Sequence, residues 1–157
     1  MKIKQTLDRY LEKVLIFIMS ILVLDVLWQV LSRYILSSPS SFTDELAGFL
    51  LIWVGILGAA YVAGQRQHLA IDLLIQKSSA ANQSRLYLFI NICIALFAIT
   101  VMVVGGAWLA ITRFQFEVTS AALQIPLGYV YLVMPISGIL IVYYSIYFII
   151  HPNENLA

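Results

Sequence analysis

The chain has 157 residues, 62% of them apolar and 11% charged, far from the composition of a soluble globular domain. A formal net charge of +1 gives no electrostatic footprint for nucleic acid, and a single cysteine, Cys93, excludes an internal disulfide. The remaining class is a protein that uses the lipid bilayer as its solvent.

Residues 1–13, MKIKQTLDRYLEK, put Ile3, Leu7, Tyr10 and Leu11, followed by Val14, on one helical face and Lys4, Asp8, Arg9, Glu12 and Lys13 on the other. This predicts an amphipathic helix in the membrane interface that feeds directly into the first span. The apolar run from Val14 to Val30 exceeds a signal-peptide core and has no small-x-small cleavage site after it, so a cleaved leader is not expected.

The first predicted span covers 14–36 and carries Asp25 near its middle, with Gln29 at i+4, Ser32 at i+7 and Arg33 beside that stripe. An ionised acid facing lipid is costly, so the stripe must face protein or water. Two uses remain open: an ion or proton site, or a neutral, hydrogen-bonded acid inside a helix–helix contact. The loop 37–42, with Pro39 among serines, is short enough to force an antiparallel hairpin.

The second span, 46–63, is introduced by Thr43 as a cap, with Asp44 and Glu45 in the first turn, where the helix dipole favours negative charge. Arg33 closes span one just before these acids, which predicts an ion pair between Arg33 and Asp44 or Glu45. Gly55, Ala59 and Ala63 recur at i, i+4 and i+8 and form a smooth face for close helix packing. In the connection 64–85, Leu69, Ile71, Leu73, Leu74 and Ile75 alternate with polar residues, as in a segment resting on the membrane surface, and 78–84 reads as a solvated turn. His68 and Asp72 have the i, i+4 spacing of two metal ligands on a helix, but two ligands are too few, and a surface turn is the expectation.

The third span, 86–112, would be about 40 Å long, so it must tilt or project beyond the hydrocarbon. Residues 113–125, RFQFEVTSAALQI, read as a hairpin that includes Ser120. Pro126 is placed in the first turn of the fourth span, 126–150, and Pro135 should kink that span. On one side of the predicted topology stand Lys2, Lys4, Arg9, Lys13, Arg66, Lys77 and Arg85, and on the other only Arg33 and Arg113. The positive-inside rule then places both termini in the cytoplasm.

The expected fold is thus all-α and integral to the membrane: one four-helix domain, with an interfacial helix at its start and a membrane-surface segment between spans two and three. Both histidines, His68 and His151, lie outside the spans, and no nucleophile–base pair, phosphate loop or cysteine cluster occurs in the sequence. Neither an enzyme nor a cofactor, metal or nucleic-acid partner is expected.

Several ordered fragments carry a family resemblance: Arg33-Tyr34; Phe42-Thr-Asp-Glu-Leu-Ala-x-Phe-Leu-Leu-x-Trp53; Gly58-Ala-Ala-Tyr61; His68-Leu-x-x-Asp72; and Ser120-x-Ala-Leu-x-x-Pro126 with Tyr131 and Pro135. Together the chain resembles the small, four-span Q-type membrane subunit of tripartite ATP-independent periplasmic (TRAP) transporters. Phe42 stands where tryptophan is expected, and Gly48 where a basic residue is common. The resemblance implies an inner-membrane scaffold subunit. It implies as partners a large polytopic permease subunit, which holds the substrate and sodium sites and moves as an elevator, and a periplasmic substrate-binding protein. The implied cargo is an organic acid, of the sialic-acid branch or a C4-dicarboxylate. The alternative from another class is a self-contained small multidrug/proton antiporter that uses Asp25.

Overall fold

A chain segment in hydrocarbon must satisfy every backbone N–H and C=O internally, which makes each long apolar run a helix. The computed structural model describes residues 2–36, 40–65 and 80–151. Among these, four stretches are long and apolar enough to cross a membrane: Ile3–Tyr34, Ser41–Gln65, Arg85–Gln115 and Leu127–Ile150. The first two are single helices, α1 (Lys2–Tyr34) and α2 (Ser41–Gln65). The third joins α3 (Ala80–Phe97), a π-helical segment (Ala98–Gly105) and α4 (Gly106–Gln115). The fourth is α5 (Leu127–Tyr131) followed by α6 (Val133–Ile150). The chain is an all-α membrane protein.

Residues 2–13 are the first three turns of α1 itself, in unbroken helix with the span. At 1.5 Å per residue its 33 residues extend about 50 Å. Even a 40° tilt would leave about 38 Å along the membrane normal, more than the ~30 Å of hydrocarbon, so the first turns stand at headgroup level. The buried residues of α1 are Leu11, Ile18, Asp25 and Ser32, one in every seven. A seven-residue period keeps one seam turned toward a neighbouring helix. That neighbour is chiefly α2, through the cluster of Leu11, Ile18 and Leu57.

In the fourth span α6 lies between α2 and the third span and is the most enclosed element. Where a kink was expected, the fourth span is interrupted for one residue at Leu132, between α5 and α6 and three residues before Pro135, although Leu132 keeps helical torsions (φ −58°, ψ −23°). Proline has no N–H to give to the carbonyl of Tyr131, so the helix opens there. The third span differs from expectation at both ends. It begins at Ala80, within the stretch read as a solvated turn, and continues through Arg113 to Gln115. Its π-helical segment was not anticipated. The N–H of Gly106 reaches back to the carbonyl of Val101, and the Thr100 hydroxyl donates to the Leu96 carbonyl at 2.8 Å. Such a segment places one extra residue in the helix relative to α geometry.

The turn after α4 is compact. Thr119 and Pro126 form an isolated antiparallel bridge, the Ser120 N–H donates to Ile125 O at 2.9 Å, and Leu127 N–H to Val118 O at 2.9 Å. The surface segment expected within 64–85 lies largely outside the described residues, as do His68 and Asp72.

Candidate functional site

The first acids of α2 were expected to face Arg33. Glu45 instead turns to the 116–126 hairpin. Its Oε1 accepts the Ala121 N–H at 3.0 Å, and its Oε2 accepts those of Ala122 and Leu123, each at 2.8 Å. Three successive backbone donors converge on one carboxylate because the turn directs them to the same side; a carboxylate, with two oxygens and four lone-pair positions, can accept all three. Arg33 and Asp44 are exposed, and among the described residues neither takes part in an ion pair. The expected pairing fails for a physical reason: fixed N–H groups within reach compete well against a long, solvated guanidinium side chain.

Ser120 and Pro126 shape the loop that Glu45 holds. Ser120 is buried and its Oγ accepts the Ile125 N–H at 3.3 Å, while Pro126, in extended conformation, leads into α5. Gln124 takes a positive φ of 56° and its Nε2 donates to Ala121 O at 2.9 Å, closing the turn. One helical stretch further along α2, Trp53 donates its indole N–H to Val130 O at 3.1 Å, next to the helix opening at Leu132. Two motif fragments far apart in sequence, 42–53 and 120–126, therefore meet at one end of the molecule. This is the Glu45 end.

Asp25 lies in the buried seam of α1, 8% exposed, and its Oδ2 has no hydrogen-bond partner in the structure. Gln29 is half-buried beside it, and the buried Ser32 hydroxyl donates to Gln29 O at 2.9 Å. The polar stripe thus faces protein rather than lipid. Gly55 and Ala59 point outward, and a Cβ added at Gly55 would meet nothing within 4 Å. Ala63 of the same row packs inside, against the cluster of Ala60, Ala98 and Ile141.

At the opposite, Asp8 end, a lock that the sequence reading missed joins three helices. The Tyr144 hydroxyl of α6 donates to Asp8 Oδ1 at 2.6 Å, and Lys4 Nζ donates to Asp8 Oδ2 at 2.8 Å. The Lys4 ammonium lies 5.9 Å from the Tyr144 ring centre and 5.8 Å from that of Phe148. The Tyr144 ring rests against Gly64 of α2, close enough that no larger residue fits without movement. The available signal was Asp8 itself, an acid one helical turn from Lys4 on the polar face of α1, but its partner 136 residues away has no local mark. No group of three His, Cys, Asp or Glu side chains suited to a metal ion occurs among the described residues.

These features define a class: a small four-helix membrane module that ties its own two ends together with polar groups and leaves apolar flanks outside. Residues 22–153 match the family model described as tripartite ATP-independent periplasmic transporters, DctQ component. The chain belongs to this family, as a TRAP transporter small membrane subunit. A putative TRAP transporter small permease protein of Haemophilus influenzae is 26% identical over 137 residues, which cover 86% of this chain and 82% of that protein. The isethionate TRAP transporter permease protein DctMQ of Oleidesulfovibrio alaskensis is 26% identical over 105 residues, 64% of this chain and 16% of the relative. The sialic acid TRAP transporter permease protein SiaT of Haemophilus influenzae is 33% identical over 73 residues, 44% of this chain and 12% of the relative. In the last two, the matched region is a small part of a much longer polypeptide.

Proposed function

We propose that this chain is the fixed scaffold of a sodium-coupled, binding-protein-dependent importer of an organic acid, and that it has no transport site of its own. The observation that carries this reading is the uneven burial of the spans. In their most apolar stretches, 44% of the fourth span is buried within the chain, against 6% of the third and 11% of the second. Such flanks suit packing against lipid and a larger membrane partner, with the open Gly55–Ala59 surface allowing close approach. The matches inside longer permease polypeptides support a large membrane subunit as that partner. Relatives named for isethionate and sialic acid support an organic acid as cargo, delivered by a periplasmic substrate-binding protein. In the orientation that follows, the Asp8 end with both termini is cytoplasmic and the Glu45 end is periplasmic, in the inner membrane of the cell.

Reconstitution tests it. The large permease and binding protein should take up the acid on a sodium gradient only when this chain is present, and Asp25→Asn should lower uptake modestly. The buried, unbonded Oδ2 of Asp25 favours one second reading, a proton-coupled antiporter formed by this chain alone. Proton-driven cation export by the isolated chain, abolished by Asp25→Asn, would establish that reading and sink the scaffold.

A further inference from the structure

The Glu45 end of the third and fourth spans closes on itself. α4 packs chiefly against α5, across the 116–126 turn. Phe114 of α4 lies edge-on to Tyr129 of α5, with ring centres 5.0 Å apart, and rests directly on Gly128. The Arg113 guanidinium stands 5.9 Å from the Tyr131 ring centre, and the Thr119–Pro126 bridge ties the two sides of the turn. Residues 106–131 are thus one packed unit.

Where this unit joins the rest of the chain, both helices are irregular at the same level. The π-helical segment ends at Gly105, and the fourth span is interrupted at Leu132. The two joints touch: a Cβ added to Gly106 would lie 2.7 Å from Met134 Cβ and 3.1 Å from Pro135 Cδ. Glycine against proline makes a pivot without interlocking side chains, and Pro135 withholds the N–H that would brace the Tyr131 carbonyl. Helix bends concentrate at prolines and π segments, and a hinge needs only a few such residues. Away from the joints, two polar clasps hold the unit to α2. The Glu45 carboxylate takes the N–H groups of Ala121, Ala122 and Leu123, and the Trp53 indole donates to Val130 O.

We propose that residues 106–131 form a lid at the Glu45 end, which swings as one body about the Gly106–Pro135 contact when the Glu45 clasp releases. α1, α2, α3 and α6 stay in place as it moves. Release frees three convergent N–H donors, a seat suited to another carboxylate. The lid is defined by contacts within this chain and does not depend on the transport role proposed above.

The test is residue-resolved hydrogen exchange of the full chain in detergent. A hydrogen bond to a carboxylate is worth about tenfold or more, and solvent makes good part of the loss, so Glu45→Ala should speed exchange across 107–118 and 127–131 by one common factor of about 100. Trp53→Phe should speed the same amides about fivefold. In both variants α6 and residues 86–97 should keep their wild-type rates. Pro135→Ala restores the missing N–H and should slow the lid amides in the Glu45→Ala background. Acceleration confined to 121–123 would mean a fraying loop, and equal acceleration in α6 would mean unfolding of the whole chain; either would overturn the proposal. So would lid rates untouched by Pro135→Ala in that background, which would remove the pivot.

Discussion

The contact between Gly64 and Tyr144 gives the sharpest test of how the second and fourth spans are joined. A Cβ at position 64 would lie 2.6 Å from Cζ of the ring and 2.8 and 2.9 Å from Cε1 and Cε2. Carbon atoms pack best at about 3.5–4.0 Å, so in Gly64→Ala the ring must retreat by about 1 Å. It has little room to do so, being 1% exposed with its hydroxyl 2.6 Å from Asp8 Oδ1. A retreat of that size stretches the hydrogen bond to about 3.5 Å, where it is effectively lost. Overpacking costs about 1–3 kcal/mol and a hydrogen bond to a charged acceptor about 1.5–3 kcal/mol, offset by ~1 kcal/mol of helix propensity gained on replacing glycine. The net loss of about 1.5–5 kcal/mol should lower Tm by about 3–20 °C in a chain of this size. Thermal unfolding of the purified chain in detergent measures it, with Gly55→Ala as a control that should be neutral or slightly stabilising. In a Tyr144→Phe background the hydrogen bond is already gone, so the cost of Gly64→Ala should shrink toward the overpacking part alone. A Gly64→Ala variant that melts at or above the wild type would refute the close approach and the lock built on it.

Three further outcomes are expected. Glu45→Ala should raise hydrogen exchange at Ala121, Ala122 and Leu123 while Arg33→Ala leaves these amides protected; equal effects of the two changes would restore the Arg33 pairing. Trp53→Phe keeps the ring in its packing position but removes the donor to Val130 O, and should cost about 1 kcal/mol in the same unfolding assay. Gly55→Leu should leave the isolated chain's melting unchanged but reduce co-purification with the large permease, and full recovery of the complex would exclude this face from the interface.

Much of this protein was set by composition and periodicity alone. Apolar runs of membrane-crossing length have no alternative to helix in hydrocarbon, so four helical spans in this order were readable from the sequence, whereas their ends were not: α1 already begins at Lys2, and the third span runs from Ala80 to Gln115. Pro135 announced an interruption of the fourth span because the missing N–H is a local fact, and it appears at Leu132, beside Tyr131, whose carbonyl loses its donor one turn back. What needed the tertiary structure was the choice among partners. Glu45 has Arg33 nearby in sequence and three backbone N–H groups some 76–78 residues away, and only the folded arrangement decides which it meets. The same holds for Asp8 and Tyr144, and for the small residues: Gly64 is pressed against a ring while Gly55 faces open space. Gly48, Gly55 and Gly58 fall on one side of α2 with nothing against them, Gly64 on the other, and it is the position of α6 that gives Gly64 alone a close neighbour. The π-helical segment belongs to this second group, since its residues, AITVMVVG, favour no particular helix type. Local sequence fixes which groups must be satisfied; long-range packing fixes which of the available groups satisfies them.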